Sequence, residues 1–366
     1  MNGSPRQQFL SYVRNPTASM PIVSPFLPHQ DVIQGALQLL GLPVSGEAIR
    51  DEVALARELG YQPMFMTECS SLIFNWKTDE LRSSQDLAFR VIHTHMGDWT
   101  WQAPRKEIPW SDEADCPVKT VQDHAMLIAV CEQVAEREGD ISEYYRTIRR
   151  NVGEDGVIVL GHPHPSWLGF QITPTNIFYQ WNEFPDVFVR SMDALAEASL
   201  FVMSIAFSEG IDFMSDSSYG LEMTSPQLFM TMDLPYIQKF ADWTHQRDGL
   251  FWYHNCGFTS QLIKEGIFNS LGADVIETIA PPPEGDNNLA ESRRHIDRRI
   301  CTKGNLNLRL LRDGSPDEIR TQVQHIVSDV KGYSHIISTA DAVLPGTKPE
   351  NFVAFVTAAR AALGLQ

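Results

Sequence analysis

Short apolar runs alternate with longer amphipathic ones along the C-terminal two-thirds of the chain, and this rhythm restricts the fold more than any other feature. The apolar runs at 156–160, 211–214, 249–254, 273–279, 299–304 and 334–338 read as strands. Helical stretches lie between them at 187–207, 226–246, 259–270, 287–297, 316–330 and 349–363. Two of these open with start signals. Ser315-Pro316-Asp317-Glu318 is a capping box with Pro in the first turn, and Thr347 and Glu350 around Pro349 repeat the device. The last helix brings Phe352, Phe355, Val356, Ala359 and Leu363 to one face. Strands alternating with helices imply an α/β class with a parallel sheet. Upstream, 20–27 and 61–67 are further strand candidates, with helices near 31–40 and 45–59. The stretch from residue 70 differs, holding Trp76, Phe89, Trp99 and Trp101 in short alternating pieces. It reads as a β-hairpin insertion spanning 70–115. The strand count reaches about eight, which predicts a (β/α)8 TIM barrel. No linker, low-complexity segment or internal repeat divides 1–366, so a single domain is expected.

Composition narrows the partners. Hydrophobic residues make up 43% of the 366 and charged residues 20%, enough for a substantial core. The formal charge is −17 with no basic run, which argues against nucleic acid. The five cysteines are odd in number and far apart, so no disulfide framework is expected. Residues 1–14 hold no apolar run of the signal-peptide kind, and no uninterrupted apolar stretch has the length of a membrane span. A cytoplasmic protein with no membrane partner is the expectation.

The chemistry points to one place. His254-Asn255-Cys256 ends the run Leu250-Phe251-Trp252-Tyr253, and Gly257 follows. Alternate strand residues point the same way, so imidazole and thiol can converge. Both are zinc ligands. The pair lies where a strand hands over to a helix, the end that carries chemistry in an α/β barrel. Chance yields about 0.15 such pairs in a chain with 11 His and 5 Cys. The plainer reading is a core histidine beside a small buried cysteine, and only context separates the two.

That context is a resemblance. His254-Asn-Cys-Gly257, Leu271-Gly-Ala-Asp-Val275, Gly304-Asn-Leu306, Ser315-Pro-Asp-Glu-Ile319 and Leu344-Pro-Gly-Thr-Lys-Pro-Glu-Asn351 occur in that order. Thr224-Ser-Pro226 and Leu234-Pro-Tyr236 fit the same pattern upstream. Together they cover about half the chain and resemble the uroporphyrinogen decarboxylase superfamily, which also contains cobalamin-dependent methyltransferases of methanol and methylamine metabolism. The decarboxylases carry an arginine-rich N-terminal motif for the porphyrinogen carboxylates. Here the corresponding region reads Val23-Ser-Pro-Phe-Leu-Pro-His29, without arginine. Their His before the Leu-Pro-Gly segment corresponds to Asp341. Carboxylates need cationic partners, so the resemblance leans to the methyltransferase branch.

In that branch the implied zinc ligands are His254, Cys256 and, where the family has a third cysteine, Asp341. Aspartate is an acceptable zinc ligand, harder than thiolate. Asp216 and Glu222 match the acidic loop, and either can supply a further ligand or orient one. The resemblance implies a zinc-dependent methyltransferase, working by corrinoid-linked methyl transfer or by O-demethylation of a small methylated substrate. The acceptor would be a thiol or a folate. The chain lacks an Asp-x-His-x-x-Gly signature, so the corrinoid (cobalamin) would come from a partner corrinoid protein. A homodimer is implied by resemblance alone. The alternative is a metal-free carboxy-lyase acting on a porphyrinogen or another carboxylate.

Other candidates follow from position. His162 and His164, in Gly161-His-Pro-His-Pro-Ser166, follow a strand and should face the mouth; they are either substrate residues or members of a proline-stiffened turn. Glu277 ends a strand and is a candidate to support the ligands. Asn305 either binds substrate or caps a turn. Cys301, inside a strand, reads as core.

Overall fold

Seven strands pair side by side, all parallel, in the order β1, β5, β6, β7, β8, β9, β10. They are β1 (Met64–Met66), β5 (Val157–Val159), β6 (Phe213–Ser218), β7 (Leu250–Asn255), β8 (Val275–Glu277), β9 (Cys301–Leu306) and β10 (His335–Thr339). The computed structural model describes residues 3–15, 21–84, 86–104 and 116–365. The sheet curls in the manner of a TIM barrel, with helices outside. Between its two end strands lies the segment 22–24. There Ser24 N donates to the Ile337 carbonyl of β10 at 2.9 Å, and Gln62 N, just before β1, donates to the Val23 carbonyl at 2.9 Å. Ile337 N also donates to the Ile22 carbonyl at 3.0 Å, so Val23 pairs in parallel with Ile337 and the strand expected over 20–27 is reduced to this short bridging segment; residue 20 lies outside the described residues.

Period-two alternation sets the interior. Met64, Val157, Val159, Phe213, Leu250, Trp252, Val275, Cys301 and Ile336 form one buried cluster with Phe9, Tyr12 and Val13. The last three come from the helix Pro5–Arg14, which opens with Pro and a Ser4/Gln7 capping box. Arg6 of this helix binds Asp212, just before β6, at 2.7 Å, and the Tyr12 hydroxyl donates to the His335 carbonyl at the start of β10 at 3.1 Å. The helix therefore closes the N-terminal end of the sheet and leaves the C-terminal end open.

The region after residue 70 starts with a short helix, Ser70–Phe74, and then forms an antiparallel sheet of three strands. These are β2 (Lys77–Asp79), β3 (Leu87–Thr94) and β4 (Gly97–Pro104). Residues 105–115 of the expected insertion lie outside the described residues. The helix Pro185–Ser208 is long and apolar enough by composition to cross a membrane, although Asp186, Arg190, Asp193 and Glu197 interrupt its apolar run. Its apolar window is 56% buried within the chain, and it packs on Val121–Glu132.

Candidate metal centre

Above the apolar floor the interior turns polar, two residues further along each strand. In β7 the step from Trp252 leads to His254, in β8 from Val275 to Glu277, and in β9 from Cys301 to Lys303. His254 is in register with Glu277, and Glu277 with Lys303. Glu277 Oε2 accepts from Trp252 Nε1 at 3.0 Å and lies 3.3 Å from His254 Nδ1. Its other oxygen is bonded by the Lys303 ammonium, and both side chains are fully buried. The bond at Nδ1 leaves His254 Nε2 facing the mouth, where Asp341 Oδ2 stands 3.8 Å away. Cys256 follows β7 directly. Among the described residues His254, Cys256 and Asp341 form a cluster whose ligand atoms all lie within 4.8 Å of one another.

Charge suits a cation here. Burial alone would lower the His254 pKa, but Cys256, Asp341 and Glu277 outweigh it and hold the imidazole well above its ordinary value. Burial would raise Glu277, but Lys303 and His254 hold it well below the usual carboxylate range. One nitrogen, one sulfur and one carboxylate oxygen, with a carboxylate behind the histidine, match the donor set and support of a zinc site.

The remaining candidates separate. His162 reaches the cluster: its ring stacks on His254 with centroids 5.0 Å apart, and its Nδ1 lies 3.0 Å from Ser215 Oγ. Burial, then His254 and His164, hold it neutral, with its pKa well below the ordinary value. His164 turns away to Ser217 Oγ and packs on Phe170 at 4.6 Å. Burial and His254 push it down to about 3. Asp216 accepts from the His164 backbone N–H at 3.1 Å, so it holds the His162–His164 loop rather than joining the ligands. Glu222 also stands apart. Its Oε2 accepts from Phe258 N at 2.7 Å, and a Cβ on Gly257 would lie 1.8 Å from its Oε1. It thus seats the chain just past Cys256. Asn305 donates to the Ile279 carbonyl at 2.9 Å and straps the loop after β8. Cys301 is core.

Lys303 was missed in the sequence. Its signal was parity: two residues before Asn305 on one strand, it shares that residue's face.

A family model described as uroporphyrinogen decarboxylase matches residues 125–362, well over half of the chain. The chain belongs to the uroporphyrinogen decarboxylase family. A uroporphyrinogen decarboxylase of Prochlorococcus marinus (strain NATL1A) is 23% identical over 178 residues, 48% of each chain. One of Synechococcus sp. (strain CC9605) is 23% identical over 238 residues, 61% of this chain and 63% of its own. The chain spans about half the length of the first of these relatives. In three dimensions a methyltransferase from Methanosarcina mazei superposes with a TM-score of 0.65 at 16% identity, covering 98% of this chain and 99% of its own. That likeness is one of fold. All the metal-cluster residues lie within the part matched to the family.

Proposed function

We propose that this member of the family is a zinc-dependent methyltransferase acting on a small methylated substrate, by corrinoid-linked transfer or O-demethylation. The observation that carries the reading is the convergence of His254, Cys256 and Asp341 within 4.8 Å at the open end of the barrel. His254 Nε2, Cys256 Sγ and an Asp341 oxygen would hold the metal. Bound there, zinc supplies Lewis acidity, holding a thiol as thiolate or polarising an ether or alcohol oxygen. The chain's own residues do the rest. Glu277 takes the proton side of His254 and fixes its tautomer. Lys303 keeps Glu277 charged. His162 lies flat beside His254 as an uncharged wall. The corrinoid comes from a partner protein docking at the mouth, and we read the chain as one cytoplasmic barrel domain acting as a homodimer.

The alternative, a metal-free carboxy-lyase, draws support from the relatives' names. Against it, the segment matching the decarboxylases' arginine-rich motif contributes only Phe26, Leu27 and Pro28 to the lining of the neighbouring cavity, and carboxylates buried there would lack cationic partners. Elemental analysis should find close to one zinc per chain, and Cys256→Ser should lose most of it. With a corrinoid partner and a small methylated compound, the corrinoid spectrum should change. Full activity without metal, or coproporphyrinogen formation at a useful rate, would promote the lyase.

A further inference from the structure

A cavity of about 660 Å³ opens beside the metal cluster, and His162 forms part of its wall. His162 in turn stacks on His254, with ring centroids 5.0 Å apart, so one side chain separates the cavity from the ligands. Its walls are largely aromatic and apolar, including Phe26, Phe65, Phe74 and Phe170. Among the described lining residues there is no lysine or arginine, whereas two are acids, Glu52 and Glu68. Glu68 is exposed, and its Oε2 accepts from Ser71 Oγ at 2.5 Å.

Glu52 is the unusual member. It projects from the helix Ala48–Leu59 and is only 5% exposed. Its Oε1 is buried without a hydrogen-bond partner. A buried carboxyl without a partner is unstable as an anion, and burial accordingly pushes its pKa well above the ordinary value. A ligand cation would supply the missing partner, and aromatic faces attract the same charge. A ring at the rim already does so: the Arg90 guanidinium lies 4.0 Å from the Trp76 centroid.

We propose that this cavity is the substrate pocket and that it takes a small molecule carrying a methylated ammonium on an apolar body, with Glu52 as its counter-ion. This rests on the methyltransferase reading, and it excludes the anionic substrates of a decarboxylase.

Binding can be read without turnover. The whole zinc-loaded protein is titrated calorimetrically with choline, with its uncharged isostere 3,3-dimethylbutan-1-ol, and with the anion 3,3-dimethylbutanoate. The expected order places choline at least about ten-fold tighter than the isostere, with the anion weakest. In Glu52→Gln the preference for choline should collapse toward unity while the isostere binds as before. Retained isostere binding and an unchanged thermal midpoint show that the variant is folded. Should the fold suffer, Glu52→Asp, which keeps the charge, must retain the preference. Equal binding of the three probes, a preference untouched by Glu52→Gln, or no saturable choline binding up to about 10 mM would each overturn the proposal. Zinc is measured on the same samples. Zinc without a cation preference sinks the pocket alone, and a cation preference without zinc sinks the methyltransferase reading alone.

Discussion

Three groups meet at the Glu277 carboxylate: the Trp252 indole, the His254 imidazole and the Lys303 ammonium. Removing one partner from a buried ion pair leaves the other charge without compensation. Glu277→Gln should therefore cost about 3–5 kcal/mol of stability and weaken zinc about 10–100-fold. The double change Glu277→Gln with Lys303→Met removes the stranded charge. It should recover most of the stability and none of the zinc affinity, since His254 still lacks its anchor. Urea unfolding and a competitive zinc titration separate the two effects; equal recovery of both would refute the positioning role. Asp341 tests the ligand set itself. Asp341→Ala should weaken zinc and Asp341→Cys should retain it, because carboxylate and thiolate both complete a tetrahedral site. With Asp216 and Glu222 bonded elsewhere, unchanged affinity in the alanine variant would leave a two-residue site.

Strands in the C-terminal two-thirds were legible because each is a short apolar run set off by polar helices, and β5 through β10 all fall on or beside the expected runs. Helices buried on several sides were not. Val121–Glu132 hides His124, Met126, Leu127, Val130 and Cys131, which show no single face. Glu138–Val152 was readable from Ile141, Tyr145 and Val152 and went unread. The helix expected over 226–246 forms as one continuous run to His245, with a π-helical turn at Phe229–Asp233 that the sequence did not signal. At the site, alternation alone put His254 and Cys256 on one face, but it took the resemblance to read them as ligands and to find Asp341. The place of Asp216 depended on knowing which face of β6 looks inward: Phe213 does, so Ser215 and Ser217 do, and Asp216 looks out. That burial, together with Asp233, raises Asp216 from 3.8 to about 8. The folded chain then holds a proton that the unfolded chain releases. Stability contributed by this group is full below 3.8 and falls as pH rises toward about 8. Asp216→Asn accepts the same His164 N–H without titrating. It should match or exceed the wild type in thermal midpoint above pH 8 and show a shallower decline below it. Asp233, raised to about 7 by burial, keeps part of the slope in both. Identical pH profiles would show that Asp216 is ionised throughout.

Across the whole molecule the two ends of the sheet divide the work. The N-terminal end is closed by Phe9, Tyr12 and Val13, with the Phe9 ring 5.8 Å from Phe213 and 6.4 Å from Trp252. The C-terminal end gathers the acids, histidines and cysteine that can hold a metal, and the cavity beside them. In such barrels the floor serves stability and the loops at the open end serve chemistry. Trp252 joins the two, touching Phe9 below and bonding Glu277 above. Phe9 is fully buried, so Phe9→Ala should cost about 3–5 kcal/mol through the lost transfer energy and the void left behind. The polar layer has an anchor of its own, the buried Glu277–Lys303 ion pair, besides the Trp252 indole. Zinc affinity in folded Phe9→Ala should therefore stay within about three-fold of the wild type, less than 1 kcal/mol of coupling. Denaturant unfolding gives the first quantity and competitive zinc titration the second. A zinc loss matching the stability loss would mean that Trp252 transmits the floor's packing to His254, and that floor and site form a single cooperative unit.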